Sequence, residues 1–355
     1  MDRMVTTNTI EVAGRKIGPA YPCFIIAEAG VNHNGDLETA LQLVDVAAEC
    51  GADAVKFQTF NTDDGLTKDA PKADYQLRTT GAADSQYEMV KRLELSEDEF
   101  RQLKAHSKDK NILFLSTPFD HGSVSLLDRL GVDVYKVASG EIVNLPLLKD
   151  IASRGKPMFV STGMSNLGEV ETAVQSIQSQ GNQEFILLHC VSNYPADPAD
   201  INLSAMQTMA SAFGVSVGYS DHTVGIEVPM AAVAMGACVI EKHLTLDNSM
   251  AGPDHQASLE PEPFRQMVQG IRTVESAIGH GRKEPAASEA NTAAVARKSL
   301  VAACDIPSGT TITEELVAMK RPGNGLPSSF LPHVVGRKSI RDIPTGTLLD
   351  FESLS

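Results

Sequence analysis

Two lysines stand inside apolar runs instead of on exposed faces: Lys56 in AVKFQT (54–59) and Lys136 in VYKVAS (134–139). A buried ammonium is rarely left unpaired. Two of them, near Gln58, Ser139 and other hydroxyls, suit a small molecule with a phosphate and a carboxylate. Structural bridges to Glu28 or Glu141 are the plain alternative. His222 and His243 close two further apolar runs. Imidazoles on adjacent strand ends can share one divalent ion, Mn²⁺ before Mg²⁺ or Co²⁺. Each histidine alone would more often be an ordinary hydrogen-bonded core residue, and no cysteine set or fourth ligand speaks for a structural zinc.

The elements that must position these residues alternate along the chain. Apolar runs of strand length occupy 23–30, 54–59, 112–118, 134–139, 157–162, 185–190, 215–221 and 238–244. Near-continuous apolarity predicts strands buried on both faces, as in a parallel sheet. Between them lie helical stripes. Leu37, Ala40, Leu41, Val44, Ala47 and Ala48 precede Gly51, Ser96 with Glu99 reads as a capping box for 97–109, and Phe264 to Ile278 precedes Gly279. Eight such units predict an α/β fold, a (β/α)8 TIM barrel over 1–280, in preference to an open doubly wound sheet.

Sites in such barrels form at the C-terminal strand ends. Those ends carry Glu28, Asn32 and His33; Lys56 and Gln58; Ser116 and Thr117; Lys136, Ser139 and Glu141; and Ser161 and Thr162. They continue with His189, Cys190, Ser192, Asn193 and Tyr194; Ser220, Asp221 and His222; and Glu241, Lys242 and His243, followed by Asp254 and His255. Polar groups in a barrel mouth lose water and need partners, which a ligand supplies.

Residues 60–95 make one overlong connection, with Tyr75, Gln76, Arg78 and Tyr87. It reads as a lid or as a surface excursion with its own short helix. Residues 281–297 read as a linker. Beyond it, in 298–355, Asp305-Ile306-Pro307-Ser308-Gly309-Thr310 recurs as Asp342-Ile343-Pro344-Thr345-Gly346-Thr347, each copy after a short strand-like run. The Pro-x-Gly spacing marks turns, so the tail is expected to be a small β module docked on the barrel.

A net charge of −15 argues against nucleic acid and anionic membrane as partners. The five cysteines are widely spaced without a Cys-x-x-Cys pair, which fits a reducing cytoplasm. No signal peptide or bilayer-length apolar run is evident.

The chain resembles the sialic acid synthase family. The residues that carry this are IAEAGVNHNGDLETA (26–40), VKFQTF (55–60), LSTPFD (115–120), YKVASGEIVNLPLL (135–148), STGM (161–164) and YSDHT (219–223). IEKHLTLD (240–247), GPDHQASLEP (252–261), ARKSLVAACDI (296–306) and KRPGNG (320–325) continue the match in order. The resemblance implies a metal-dependent condensation of phosphoenolpyruvate with an N-acetylated mannose-type sugar, giving a nine-carbon 2-keto acid and phosphate. It implies an antifreeze-like (SAF-type) tail and a domain-swapped homodimer.

By the same resemblance, Lys56, Lys136, Ser139, Ser161, Ser192 and Ser220 would hold phosphoenolpyruvate. His222 and His243 would bind the metal, and Glu28, Gln58, Tyr194 and Asp254 would meet the sugar, with Arg321 reaching over from a second subunit. Glu141 would deprotonate the attacking water. At Ser192 some members have Asn, and Tyr194-Pro195-Ala196-Asp197 replaces a Tyr-Pro-Thr-Pro sequence. SQYEM (85–89) and the stretch 222–237 look closer to a bacterial legionaminic acid branch, so the expected acceptor is N-acetylmannosamine or a 2,4-diacetamido-2,4,6-trideoxymannose. A pyruvate aldolase on the same barrel and a non-catalytic sugar- or ice-binding protein are the rival readings.

Overall fold

The computed structural model describes residues 8–355. They form two compact units, one ending at Gly279 and one running from His280 to Ser355.

The first unit opens with a hairpin, β1 (Ile10–Val12) and β2 (Arg15–Ile17), which turns through Ala13 and Gly14, both at positive φ. The barrel strands follow: β3 (Phe24–Gly30), β4 (Ala54–Thr59), β5 (Leu113–Pro118), β6 (Tyr135–Val137), β7 (Met158–Ser161), β8 (Phe185–His189), β9 (Val217–Asp221) and β10 (Val239–His243). They pair in parallel in the order β5-β4-β3-β10-β9-β8-β7-β6, and β5 lies beside β6, so the sheet curls into a nearly closed barrel. The eight strands are those expected from the apolar runs, each within a few residues.

Helices Leu37–Glu49, Glu97–Asp109, His121–Leu130, Leu145–Ser153, Leu167–Gln178, Ser204–Phe213, Glu227–Ala234 and Pro261–Ile278 surround it. The capping box forms as the sequence predicts: Ser96 Oγ accepts from Glu99 N, and Glu99 returns a bond to Ser96 N. Gly51 takes φ +83° just past its helix, the left-handed position that disfavours a side chain.

Strand periodicity divides the barrel interior into storeys. Phe24, Ile26, Leu115, Phe159, Ile186 and Leu188 make a dry lower plug. The hairpin closes it from beneath with Ile10, Val12 and Ile17, each buried, where every such side chain contributes about 1.5–3 kcal/mol. This hairpin went unread in the sequence, although I-E-V and R-K-I alternate. Two residues further along the same strands the interior turns polar.

In the second unit β11 (Ser299–Ala302) pairs antiparallel with β12 (Val317–Lys320) over its own core of Leu300, Ile306, Ile312, Val334, Ile343 and Leu349. The near-repeat is a reciprocal clasp. Asp342 Oδ1 accepts from Ser308 N at 2.8 Å, Asp305 Oδ1 accepts from Thr345 N at 2.7 Å, and Ile306 and Ile343 exchange backbone bonds. Part of the expected linker is helical (Ala290–Ala296) and packs on the Arg321–Gly325 turn, with Gly323 N donating to Ala294 O.

Candidate active site

At the C-terminal mouth of the barrel the inward positions of β3, β4, β6, β7, β9 and β10 bring together Glu28, Lys56, Lys136, Ser161, Ser220 and Glu241. The Lys56 ammonium is 2.7 Å from Glu28 Oε2 and 3.7 Å from Glu241 Oε2, and donates to Thr117 Oγ1 at 3.0 Å. Lys136 donates to Ser161 Oγ at 2.7 Å and stands 3.5 Å from Glu241 Oε1, which also accepts from Ser220 Oγ. The ion-pair alternative is thus partly realised, through Glu28 and Glu241. Glu141 pairs with neither lysine; its Oε2 accepts from Asn144.

These pairs line a cavity of about 560 Å³, so they neutralise one another across a space open to a ligand. Burial drives the Glu28 carboxyl up to about 7, against the pull of Lys56 and with Glu241 adding to the rise. Burial also raises Glu241, but Lys136 and Lys56 together outweigh it and hold that carboxyl below its ordinary value. Lys136 is lowered by burial, whereas at Lys56 the two glutamates overcome burial and raise the ammonium. Two buried acids and two buried bases around one cavity form a set whose proton count can change when an anion enters.

Above this layer His222 and His243 face each other with ring centroids 5.4 Å apart, and Tyr194 packs 4.3 Å from His222. Val191 O accepts from His222 Nδ1 at 2.8 Å, which leaves Nε2 with its lone pair. His243 Nδ1 is buried with no hydrogen-bond partner. Burial lowers His222 to about 4 and His243 well below its usual value, so both are neutral, the form that ligates a cation. Among the described residues no cluster of three or more His, Cys, Asp and Glu could hold a metal. Two neutral histidines, one with its Nε2 lone pair free and one with an unpartnered Nδ1, would suit a single divalent ion.

Ser139, Cys190 and Ser192 converge on Gly163. Gly163 N donates to Ser139 Oγ at 3.1 Å, and a Cβ there would collide with all three side chains. Ser161 and Thr162 read as a strand end and STGM as part of the family resemblance, but the need for the glycine arises only from this convergence. Glu28 and Gln58 meet at 3.1 Å, and Tyr194 and Asp254 also line the cavity. Burial raises Asp254 to about 6, opposed by Lys56.

Several strand-end polar residues face elsewhere. Lys242 is outside the barrel wall, 2.5 Å from Asp221 Oδ2 and bonded to Thr223 O. Asn32 bonds Leu244 O and Ser258 Oγ, and His189 bonds Ile201 O. His33 packs on Phe57, and His255 bonds Thr245. These are scaffold, and the idea that every polar strand end serves the cavity was too broad. Arg321 lies in the second unit on an exposed turn, with Nε donating to Ala296 O.

The overlong connection carries three short helices, Thr62–Gly65, Asp74–Thr80 and Gln86–Lys91. Tyr75 and Gln76 line the cavity, and Tyr75 packs tilted against Tyr194 at 5.0 Å between ring centroids. Arg78 is exposed, and Tyr87 bonds Asp63 away from the mouth. Met89 of SQYEM lines the cavity, as do Leu66, Val90 and Leu93, which the sequence did not single out.

The sequence model of the NeuB family matches residues 43–283, and that of the SAF domain matches 297–355. The chain belongs to the NeuB family. The N,N'-diacetyllegionaminic acid synthase of Legionella pneumophila is 47% identical over 341 residues, covering 95% of this chain and 96% of its own. The enzyme of that name from Campylobacter jejuni is 48% identical, covering 92% and 98%. The crystal structure of an N-acetylneuraminic acid synthetase from Leptospira borgpetersenii, in complex with citrate, superposes with a TM-score of 0.71 at 41% identity over 81% of this chain and 95% of that one. Like these NeuB relatives, the chain is an enzyme, a synthase on a TIM barrel with a C-terminal SAF domain.

Proposed function

We propose that this NeuB-family enzyme condenses phosphoenolpyruvate with an open-chain N-acetylated amino sugar to give a nine-carbon 2-keto acid and inorganic phosphate. The observation that carries the reading is one cavity holding two lysine ammoniums, a set of serine hydroxyls and two neutral, facing histidines.

Lys56 and Lys136, with Ser139, Ser161, Ser192 and Ser220, bind the phosphate and carboxylate by charge-assisted hydrogen bonds. His222 and His243 hold a divalent ion, Mn²⁺ in the first instance, which when bound polarises the aldehyde oxygen. Glu28, Gln58, Tyr194 and Asp254 orient the sugar. The enol carbon of phosphoenolpyruvate bonds to the aldehyde carbon, water adds at C2, and phosphate leaves with C–O cleavage. Glu141, on the cavity rim, takes the proton of that water. Holding two reactants in one geometry supplies much of the acceleration.

For the acceptor we favour 2,4-diacetamido-2,4,6-trideoxymannose, because the relatives from Legionella and Campylobacter are N,N'-diacetyllegionaminic acid synthases by name. The Leptospira structure keeps N-acetylmannosamine as the second reading. Two chains pair in this proposal, and Arg321 of the second copy grips an acetamido oxygen with its planar fork. A reducing cytoplasm suits the five unpaired thiols, and among the described residues no helix is long and apolar enough to cross a membrane.

Phosphate release from phosphoenolpyruvate with Mn²⁺ tests this with N-acetylmannosamine, its 6-phosphate and the diacetamido sugar. Release with one sugar, abolished by a chelator, is expected. Silence with all three returns the pyruvate aldolase and binding-protein readings.

A further inference from the structure

The turns that follow β6, β7 and β8 meet beside the cavity. Val137 is in register with Val160 on β7, and Ser161 with Leu188 on β8. Two residues past Val137, Ser161 and Leu188 stand Ser139, Gly163 and Cys190. Ser139 lines the cavity, whereas Cys190 is buried and lies outside the lining.

A serine hydroxyl has one proton to give and two lone pairs to fill. Gly163 N donates to Ser139 Oγ at 3.1 Å and fills the first. Cys190 Sγ stands 3.0 Å from the same oxygen, where either atom can donate. The two choices differ in what Ser139 offers the cavity. If the serine gives its proton to sulfur, its oxygen turns a lone pair outward, which repels an anion. If the thiol gives its proton to the serine, both lone pairs are filled and the serine proton is left for the cavity. Sulfur is a weak acceptor, so the serine proton gains more from a phosphate or carboxylate oxygen.

We propose that Cys190 is a positioning residue for phosphoenolpyruvate: its thiol donates to Ser139 Oγ and thereby fixes that hydroxyl as a donor to the bound anion. The thiol itself touches no substrate and acts through the serine. Gly163 keeps the pair together, because a Cβ there would lie 2.9 Å from Cys190 Sγ and 2.7 Å from Ser139 Oγ and would push them apart. The assignment rests on the synthase reading above and adds to it the group that sets one of its donors.

The test is calorimetric titration of the full-length protein with phosphoenolpyruvate in the presence of Mn²⁺. It compares wild type with Cys190→Ala, Cys190→Ser, Ser139→Ala and the double variant Cys190→Ala/Ser139→Ala. Cys190→Ala is expected to weaken binding about three- to tenfold, the worth of one hydrogen bond. Cys190→Val, apolar and near the thiol in size, is a second variant without a donor and carries the same expectation. Cys190→Ser keeps a donor and is expected to bind within about twofold of wild type. The double variant is expected to bind as Ser139→Ala does, because a thiol that acts through Ser139 then has nothing to position. Unweakened binding in the Ala and Val variants overturns the proposal. So does an equal loss on removing the thiol with and without Ser139, which marks a packing effect. Neither result touches the synthase reading. A wild type that binds no phosphoenolpyruvate overturns the synthase reading, and the role of Cys190 falls with it.

Discussion

Glu28 and Lys56 meet at 2.7 Å on neighbouring barrel strands, and Glu241 stands 3.7 Å from the same ammonium on its other side. These glutamates occupy the lysines that an anion would need. The cluster holds two acids and two bases, so phosphoenolpyruvate, bound as proposed, would compete with carboxylates already in place. Burial pushes Glu28 up to about 7, which lets that carboxyl take a proton and free Lys56 near neutrality.

Lys136→Gln removes a charge that reaches Ser161 at 2.7 Å. A hydrogen bond to a charged group is worth about 1.5–3 kcal/mol, so KM for phosphoenolpyruvate is expected to rise about ten- to a hundredfold. Steady-state kinetics at saturating sugar checks this. A KM within twofold of wild type would remove Lys136 from the phosphoenolpyruvate site.

His222→Ala removes one of two imidazoles whose ring centroids are 5.4 Å apart. Turnover is expected to fall by at least about a hundredfold, since charge stabilisation by a metal is worth several kcal/mol. Mn²⁺ affinity, read directly by calorimetry, should fall with it while the circular dichroism spectrum is retained. Wild-type Mn²⁺ binding in this variant would sink the ligand assignment.

Asp221→Ala strands the Lys242 ammonium, which is fully buried and 2.5 Å from its partner. Breaking a buried pair costs about 3–5 kcal/mol, because the remaining charge has lost its compensation. The chain has no tryptophan, so urea unfolding is best followed by circular dichroism. A loss under about 1 kcal/mol would mean that water reaches Lys242.

The Asp84 carboxyl is held down, from its ordinary 3.8 to about 2, by hydrogen bonds from Lys72 and Arg92. A depressed folded-state value gives stability that is present above the unfolded value and lost as pH falls through the folded one. Proteolytic protection of residues 61–94 is therefore expected to hold above about pH 4 and to fail towards pH 2. Asp84→Asn should show the low-pH susceptibility at every pH. Equal protection of wild type and variant at pH 7 would show that the Asp84 ion pairs do not hold the segment.

The strands were legible because burial on both faces leaves an unbroken apolar run, and helices with caps announce their own ends. Lys56, Lys136, His222 and His243 were legible because each interrupts or closes such a run. The lower hairpin was not, since three-residue strands carry too little pattern to separate from coil. Leu66, Val90 and Leu93 were not, because an aliphatic residue in a polar segment reads the same whether it faces a cavity or a neighbouring helix.

The sequence by itself determined the eightfold alternation, the two units and which side chains stand at the strand ends, since these follow from local period and residue type. The tertiary structure alone decided which strand-end groups share the cavity. Side chains alternate across a strand, so Glu241 and His243 point into the barrel while Lys242 between them points out to Asp221. It also decided that Lys136 pairs with Glu241 and not with the sequence neighbour Glu141, because curling the sheet brings β10 closer to β6 across the barrel than the chain's own next turn can come.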